Sequence, residues 1–185
     1  MTVAHSREVA MKNRVVPTNS EVRLSDDEFI VSKTDKRGII TYVNRTFMKI
    51  SGYSEPELLG VQHNIIRHPD MPRGAFKLLW ETLDQGKEFF AYVKNLCKDG
   101  SYYWVMANVT PDLNSEGEIV GYYSVRRKPT LAAIQAITPL YKEMMDIERS
   151  AGPKEGPQRS IAYLQAFCEA QRCSYEELIW SLDNA

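Results

Sequence analysis

Two tryptophans and an asparagine in the middle of the chain are suited to contact a flat ligand. Trp80 lies on the apolar face of a predicted helix over 72–83, where an indole stacks on a ring system or packs as an ordinary core residue. Trp104 and Asn108 share one face of a predicted strand, since side chains alternate along a strand. An amide on an apolar strand face needs a polar partner or solvent. These residues indicate either a ligand pocket or a core tryptophan beside a solvated sheet edge.

Ionisable side chains stand immediately before the same helix. Arg67, His68 and Asp70 either place a cation and backbone donors near a ligand, or Asp70 caps the helix, Arg67 pairs with it and the group shapes the pocket wall. His63 is either a hydrogen-bonded structural residue or a pocket contact. A metal site formed by His63, His68 and Asp70 is not expected, because five-residue spacing on a segment that contains Pro69 makes a shared helical face unfavourable.

The composition excludes several other classes of protein. The formal net charge of -1 argues against nucleic acid as the main partner, and no apolar run approaches the roughly 18 residues of a membrane span. Three cysteines without a CxxC favour a reduced, cytoplasmic location. The sequence contains no GxGxxG, P-loop, HExxH or nucleophile elbow. We therefore expect a cytoplasmic binding module with no enzymatic activity.

Turn and capping patterns predict how these residues are positioned. Two β-branched runs joined at Asp35–Gly38 predict a hairpin, and Ser54 with Glu57 predicts a capping box at the start of a short helix. After the helix over 72–83, turns at Asp99–Gly100 and Asn114–Gly117 separate three further strands. The order predicts an α+β fold: a five-stranded antiparallel sheet with short helices on one face, a cavity between them and flanking helices at both ends.

The string from His63 to Pro72 (HNIIRHPDMP), followed by Phe76 and Trp80, carries a family resemblance. Together with the stretches 93–95 and 103–108, it resembles the FAD-binding PAS domain of bacterial aerotaxis receptors. The resemblance covers roughly residues 25–145 and leaves the N-terminal leader and the last thirty-odd residues uncovered.

The resemblance implies a cofactor, a set of site residues and a function. FAD is the expected cofactor, Arg67, His68 and Asp70 are implied in holding it, and His63 is matched as well. Trp80 and Trp104 are the expected aromatic contacts, and Asn108 the expected partner of the pyrimidine edge. The implied function is a sensor that reports redox state or oxygen to a signalling protein or effector domain. The alternative is a PAS interaction module, or a haem or small-ligand module, without FAD.

The composition divides the chain into four stretches. We expect a leader over 1–27, the PAS domain over 28–128, flanking helices over 129–149, and a linker with a short helical tail over 150–185. Pro139 suits the start of a second flanking helix, and two prolines and two glycines within 150–157 indicate the linker. The apolar stripe of the flanking helices packs on its own domain or faces a partner, including a second protomer in a homodimer.

Overall fold

The computed structural model describes residues 15–183, in which an antiparallel sheet carries helices on both faces. The first fourteen residues of the predicted leader and the last two of the tail lie outside the described residues. In chain order the elements are β1 (Ile30–Asp35), β2 (Ile40–Val43), α1 (Arg45–Ser51), α2 (Glu55–Leu58), a 3₁₀ turn (His63–Ile66), α3 (Arg73–Leu83), β3 (Phe89–Leu96), β4 (Tyr102–Leu113), β5 (Ile119–Arg127), α4 (Leu131–Ala170) and α5 (Tyr175–Asp183). The predicted α+β fold with five antiparallel strands is confirmed, whereas the expected helix on the N-terminal side is not found in residues 15–29.

The strand order is β2-β1-β5-β4-β3, so the last strand in sequence is the central strand of the sheet. Successive side chains point to opposite faces, which gives the sheet an inner face towards the cavity and α3 and an outer face towards α4 and α5. In the β4–β5 register Ala107 lies opposite Arg126 on the inner face, and Asn108 lies opposite Val125 on the outer face. This register decides which residues reach the cavity.

Local hydrogen bonds fix the helices that flank the hairpins. The predicted capping box is present, with the Glu57 carboxylate accepting from the Ser54 backbone N–H at 2.9 Å. Asn44 caps α1, which the sequence did not reveal: its Oδ1 accepts from the N–H of Phe47 at 3.0 Å and from that of Val31 at 3.1 Å. The Asn44 side chain therefore joins strand β1 to helix α1.

The segment predicted as a linker is helical except at one residue, which corrects that part of the prediction. Gly152 (φ 78°, ψ 175°) divides α4 into a first arm over 131–151 and a second arm over 153–170. Pro153 opens the second arm, where a missing N–H costs nothing. Pro139 does not start a new helix but lies inside the first arm, where the Thr138 hydroxyl donates to the Ile134 carbonyl at 2.6 Å.

The helices that follow the sheet dock on its outer face. Tyr92 and Met106 of the sheet share one apolar cluster with buried residues of both arms of α4 and of α5. The Tyr141 hydroxyl of the first arm donates to the Tyr92 carbonyl at 2.8 Å, and Trp180 of α5 packs on Phe90 with ring centroids 4.9 Å apart. Of the two alternatives for the apolar stripe, packing on its own domain is the one observed. A homodimer through these helices stays a prediction.

The N-terminus of α3 is closed by a carboxylate from α4, an arrangement we call the Glu148 clasp. Glu148 Oε2 accepts from the Arg73 N–H at 2.9 Å, and its Oε1 accepts from the Gly74 N–H at 2.7 Å and from the Ser160 hydroxyl at 2.8 Å. An anion at a helix N-terminus satisfies free backbone donors and interacts favourably with the helix dipole. A Cβ on Gly74 would lie 2.2 Å from Ser160 Oγ, so only glycine permits this approach. The clasp ties α3 to both arms of α4.

The clasp predicts a loss of stability when its carboxylate is removed. Glu148→Ala leaves the Arg73 and Gly74 N–H groups and the Ser160 hydroxyl without their acceptor, so we expect the free energy of unfolding to fall by about 2 kcal/mol. Urea unfolding followed by circular dichroism measures this change. Glu143→Ala, an exposed carboxylate on the same arm, is the matched control. Equal stabilities of the two variants would contradict the clasp.

Candidate functional site

A cavity of ≈ 240 Å³ lies between the inner face of the sheet and helix α3. Its walls are mainly apolar and aromatic, as expected for a site that takes a flat ring. Helix α3 contributes Phe76, Leu79 and Trp80, and the strands contribute Val93, Ala107, Val109 and Tyr122. The volume is below the roughly 300–1,000 Å³ of a site that encloses a whole drug-sized ligand. The cavity therefore suits the ring system of a larger molecule whose remainder extends outside.

Trp80 lines the cavity, as the helical periodicity predicted. Its side chain is 38% exposed and meets the ring of Tyr122 edge-on, with centroids 5.2 Å apart. A Cβ added at Gly38 would lie 3.4 Å from the indole, and Gly38 has φ +76°. The tryptophan is thus held at the mouth of the cavity between α3 and the β1–β2 turn, and it is not an ordinary core residue.

The Arg67, His68 and Asp70 group is divided between the cavity and its outer wall. Arg67 lines the cavity and lies over the Phe76 ring, 4.1 Å from its centroid. Burial lowers the pKa of Arg67, and the nearby Glu148 carboxylate opposes this shift. Arg67 does not pair with Asp70, and Pro72 is the N-cap of α3 without a side-chain hydrogen bond. Of the two alternatives, the one in which Asp70 caps the helix and Arg67 pairs with it is therefore wrong, since Glu148 binds that helix end.

His68 and Asp70 fix the segment that follows Arg67 and do not line the cavity. The Asp70 carboxylate binds Lys94 of β3 at 2.7 Å. His68 is 2% exposed, its Nδ1 accepts from the Asp70 N–H at 3.1 Å, and its ring lies edge-on to Tyr102. Burial lowers the pKa of His68 to about 4, helped by the Lys94 charge and opposed by Asp70. These two residues position the loop from which Arg67 reaches the cavity.

Trp104 and Asn108 lie on the outer face of the sheet, so their expected place in the pocket is corrected. Trp104 packs against the apolar cluster under α4 and α5, and the Asn108 amide donates to Glu88 at 2.8 Å. The strand residues with the opposite parity, Ala107 and Val109, line the cavity. Trp104 and Asn108 do share one face of β4, as predicted, but it is the outer face and not the face towards the cavity.

The buried inner surface of β5 carries a cation that sequence reasoning missed. Arg126 is 4% exposed, its Nε donates to Ser124 Oγ at 3.1 Å, and its Nη2 donates to Ser32 Oγ and to His63 Nε2, the latter at 2.8 Å. His63 lines the cavity and is also hydrogen-bonded to Arg126, so the two alternatives for this histidine, a pocket contact and a hydrogen-bonded structural residue, are both observed. All partners that the structure shows for this guanidinium are neutral groups.

Asn95 is a second cavity residue that was not assigned from the sequence. It is 4% exposed, lines the cavity and pairs with Tyr103 in the β3–β4 ladder. Its amide makes no side-chain hydrogen bond to any described residue. The alternation of β3 carries the relevant pattern, because Asn95 shares the parity of Ala91 and Val93 on the inner face. Asn95 places an amide on the inner face of the sheet, where Asn108 had been expected.

The polar groups of the cavity are unbalanced in charge. Among the described residues that line it, Arg67 and Arg126 are cationic and no side chain is a carboxylic acid. In residues 15–183 no group of three or more His, Cys, Asp or Glu side chains is arranged to hold a metal ion. The cavity therefore offers hydrogen-bond donors and positive charge to a ligand with acceptor atoms.

The fold and this inner cavity define a class of sensory domain. Residues 40–126 match the PAS fold family, and this part of the chain belongs to it. The chain carries a PAS sensor domain whose sequence is of the aerotaxis-receptor type. Over the described residues, no helix has both the length and the apolar character needed to cross a bilayer.

Two curated relatives show where the sequence similarity lies. The aerotaxis receptor of Escherichia coli (strain K12) is 43% identical over 134 residues, which cover 72% of this chain and 26% of the receptor. The nitrogen fixation regulatory protein of Klebsiella pneumoniae is 34% identical over 97 residues, covering 52% of this chain and 20% of that protein. The matched region thus spans about a quarter or less of these relatives.

Solved structures share the fold at lower identity. A light-oxygen-voltage domain studied with a flavin analogue has a TM-score of 0.53 and 23% identity, covering 62% of this chain and 86% of that one. The dark structure of the Aureochrome1 LOV domain has a TM-score of 0.51 and 24% identity, covering 65% and 85%. Similarity at this level concerns the arrangement of the sheet and helices.

The buried histidine of the cavity predicts a dependence of stability on pH. Burial, and then the Arg126 charge, lower the pKa of His63 to about 3, whereas an unfolded histidine titrates near 6.5. Between these values the unfolded chain binds a proton that the folded chain does not, so stability falls as the pH falls below about 6.5. From pH 7 to pH 5, His63 should account for a loss of about 2 kcal/mol.

Urea unfolding of ligand-free wild type and of His63→Gln at both pH values measures this contribution. The carboxylates titrate in both proteins and cancel in the comparison. We expect the variant to lose about 2 kcal/mol less stability between pH 7 and pH 5 than the wild type. Parallel losses in the two proteins would show that His63 is protonated in the folded state.

Proposed function

We propose that this PAS domain holds FAD in its inner cavity and reports redox state or oxygen to a signalling partner. The observation that supports FAD most strongly is the combination of a narrow aromatic slot with two arginines and no acid among its described lining residues. FAD supplies a flat ring that accepts and returns electrons. Such a ring needs apolar walls, an amide for its pyrimidine edge and donors near the atoms that gain charge.

The side chains of the cavity meet these needs one by one. Phe76 and Trp80 provide aromatic surfaces on the α3 side, and Asn95 provides an amide with no competing partner among the described residues. Arg67 brings positive charge from the loop before α3. The α3 N-terminus is occupied by Glu148, so an anionic group of the cofactor is held by side chains and not by that helix end.

The proposed role is sensing and not catalysis. Ser32 Oγ lies 3.2 Å from His63 Nε2 at the cavity, but Arg126 Nη2 donates to the same nitrogen, so His63 is not free to activate the hydroxyl as a base. Two of the relatives that match are, by name, a receptor and a regulatory protein. A signalling protein or an effector domain of a receptor is the partner that we propose.

Helix α3 is the element through which we propose that the cavity reaches the rest of the protein. It carries Phe76 and Trp80 on one side and receives the Glu148 clasp at its N-terminus. A shift of α3 in response to the cofactor therefore changes contacts with both arms of α4. Asn108, the expected partner of the pyrimidine edge, faces away from the cavity and donates to Glu88, so it is not part of this route.

The proposal predicts FAD at close to one molecule per chain, released by denaturation and identified by chromatography. Arg67→Ala should reduce FAD occupancy several-fold while the circular dichroism spectrum stays that of a folded domain, since Arg67 lines the cavity without filling the core. His68→Ala and Asp70→Ala should reduce FAD occupancy less, because the native His68 and Asp70 side chains position the loop and do not line the cavity.

Two matched variants control this experiment. Arg73→Ala removes an exposed arginine at the start of the same helix, and Asn108→Ala removes the amide on the outer face of the sheet. Both should keep wild-type FAD content. Colourless protein that takes up no added FAD would refute the proposed cofactor, and a Soret band would replace it with haem.

A further inference from the structure

Arg126 is a buried cation at the centre of the sheet. It projects from the inner face of β5, the central strand, which has two strands on each side in the order β2-β1-β5-β4-β3. Its guanidinium lies against the Phe47 ring, 5.2 Å from the centroid, and only 4% of the residue is exposed. Burial lowers the pKa of Arg126 to about 10, so the group remains charged at neutral pH.

The neighbouring histidine cannot share or neutralise this charge. A guanidinium has only hydrogen-bond donors, so His63 Nε2, 2.8 Å from Arg126 Nη2, must accept. The imidazole is therefore neutral, with its proton on Nδ1. Ser32 and Ser124 provide hydroxyl oxygens, which are neutral acceptors. The cluster of Arg126, His63, Ser32 and Ser124 thus holds one positive charge and no negative one.

One end of the guanidinium has no acceptor. Arg126 Nη1 is buried and makes no hydrogen bond to any described residue, although Nε and Nη2 are both bonded. No described side chain that lines the cavity is an Asp or Glu. A buried charge without a counter-charge is costly in free energy, and a ligand with acceptor atoms or negative charge offsets that cost.

We propose that Arg126 distinguishes the redox states of the bound flavin, binding the ring more tightly when the ring carries the negative charge gained on reduction. This inference rests on the proposed FAD site and assigns it a specificity-determining residue. The oxidised ring is neutral and would offer the guanidinium hydrogen-bond acceptors only. The reduced, negatively charged ring adds a charge–charge attraction, which is several-fold stronger in a water-excluded site than at a surface.

Arg67 is the internal comparison for this role. It also lines the cavity, but the Glu148 carboxylate interacts with it and so offsets part of its charge. Removing Arg67 should therefore weaken binding of both redox forms by similar factors. Removing Arg126 should weaken binding of the reduced form much more than that of the oxidised form.

Stability of the flavin-free protein gives a readout that does not depend on the cofactor. Arg126→Gln removes an uncompensated buried charge, so urea unfolding should show flavin-free Arg126→Gln to be at least as stable as flavin-free wild type. A large loss of stability would instead mark Arg126 as a structural residue and would overturn the inference. Arg126→Lys keeps the charge and provides a second variant.

For each protein, the dissociation constant (Kd) is measured once for oxidised FAD and once for FAD reduced with dithionite in the absence of oxygen. For Arg126→Gln we expect the ratio of reduced to oxidised Kd to rise about tenfold or more, and for Arg126→Lys and Arg67→Gln to stay within about threefold of wild type. An unchanged ratio in Arg126→Gln, with wild type binding FAD, would overturn the role of Arg126 alone. Wild-type protein that binds FAD in neither state would overturn the proposed function as well.

Discussion

The buried charge of Arg126 is the constraint around which the inner face of the sheet is arranged. A guanidinium at this depth needs acceptors, and the strands on its side provide them as Ser32 and Ser124. It also fixes the state of His63, which has to be neutral to accept from it. An apolar core closed over the same position would leave Nη1 permanently unpaired. The polar cluster and the cavity beside it therefore belong to one arrangement, and in our proposal a ligand supplies the missing acceptor.

The two faces of the sheet have separate tasks, and helix α3 links them. The inner face meets the cavity, while the outer face is covered by α4 and α5 through Tyr92 and Met106. Glu148 reaches from α4 to the N-terminus of α3, the helix that carries Trp80 into the cavity. In this arrangement the helices after the sheet contact helix α3, which forms one wall of the cavity, directly.

Much of the fold followed from local chemistry that the sequence displays. The capping box at Ser54 and Glu57, the turn at Asp99–Gly100 and the periodicity that placed Trp80 each depend on neighbouring residues, so local patterns predicted them. The bend at Gly152 was read as a linker, because helix-breaking residues cluster there. Docking of the second arm on α3 keeps that segment helical, and no local pattern reports such a contact.

Local sequence patterns could not identify the site residues on β4 and β5, and the cause is different. Both faces of β4 are buried, with Met106 under α4 and Ala107 at the cavity, so hydrophobicity does not show which face is inner. The register with β5 decides it, and that register is a long-range pairing. Arg126 was overlooked because an arginine near the end of a strand usually lies at the surface.

A crystal structure of the protein grown with FAD would show whether a ligand fills the inner cavity and contacts Arg126. We expect the flavin ring between α3 and the inner face of the sheet, with an acceptor atom within hydrogen-bonding distance of Arg126 Nη1. A flavin bound against Trp104 and Asn108 on the outer face, or a ring in the cavity with Nη1 still unpaired, would contradict it.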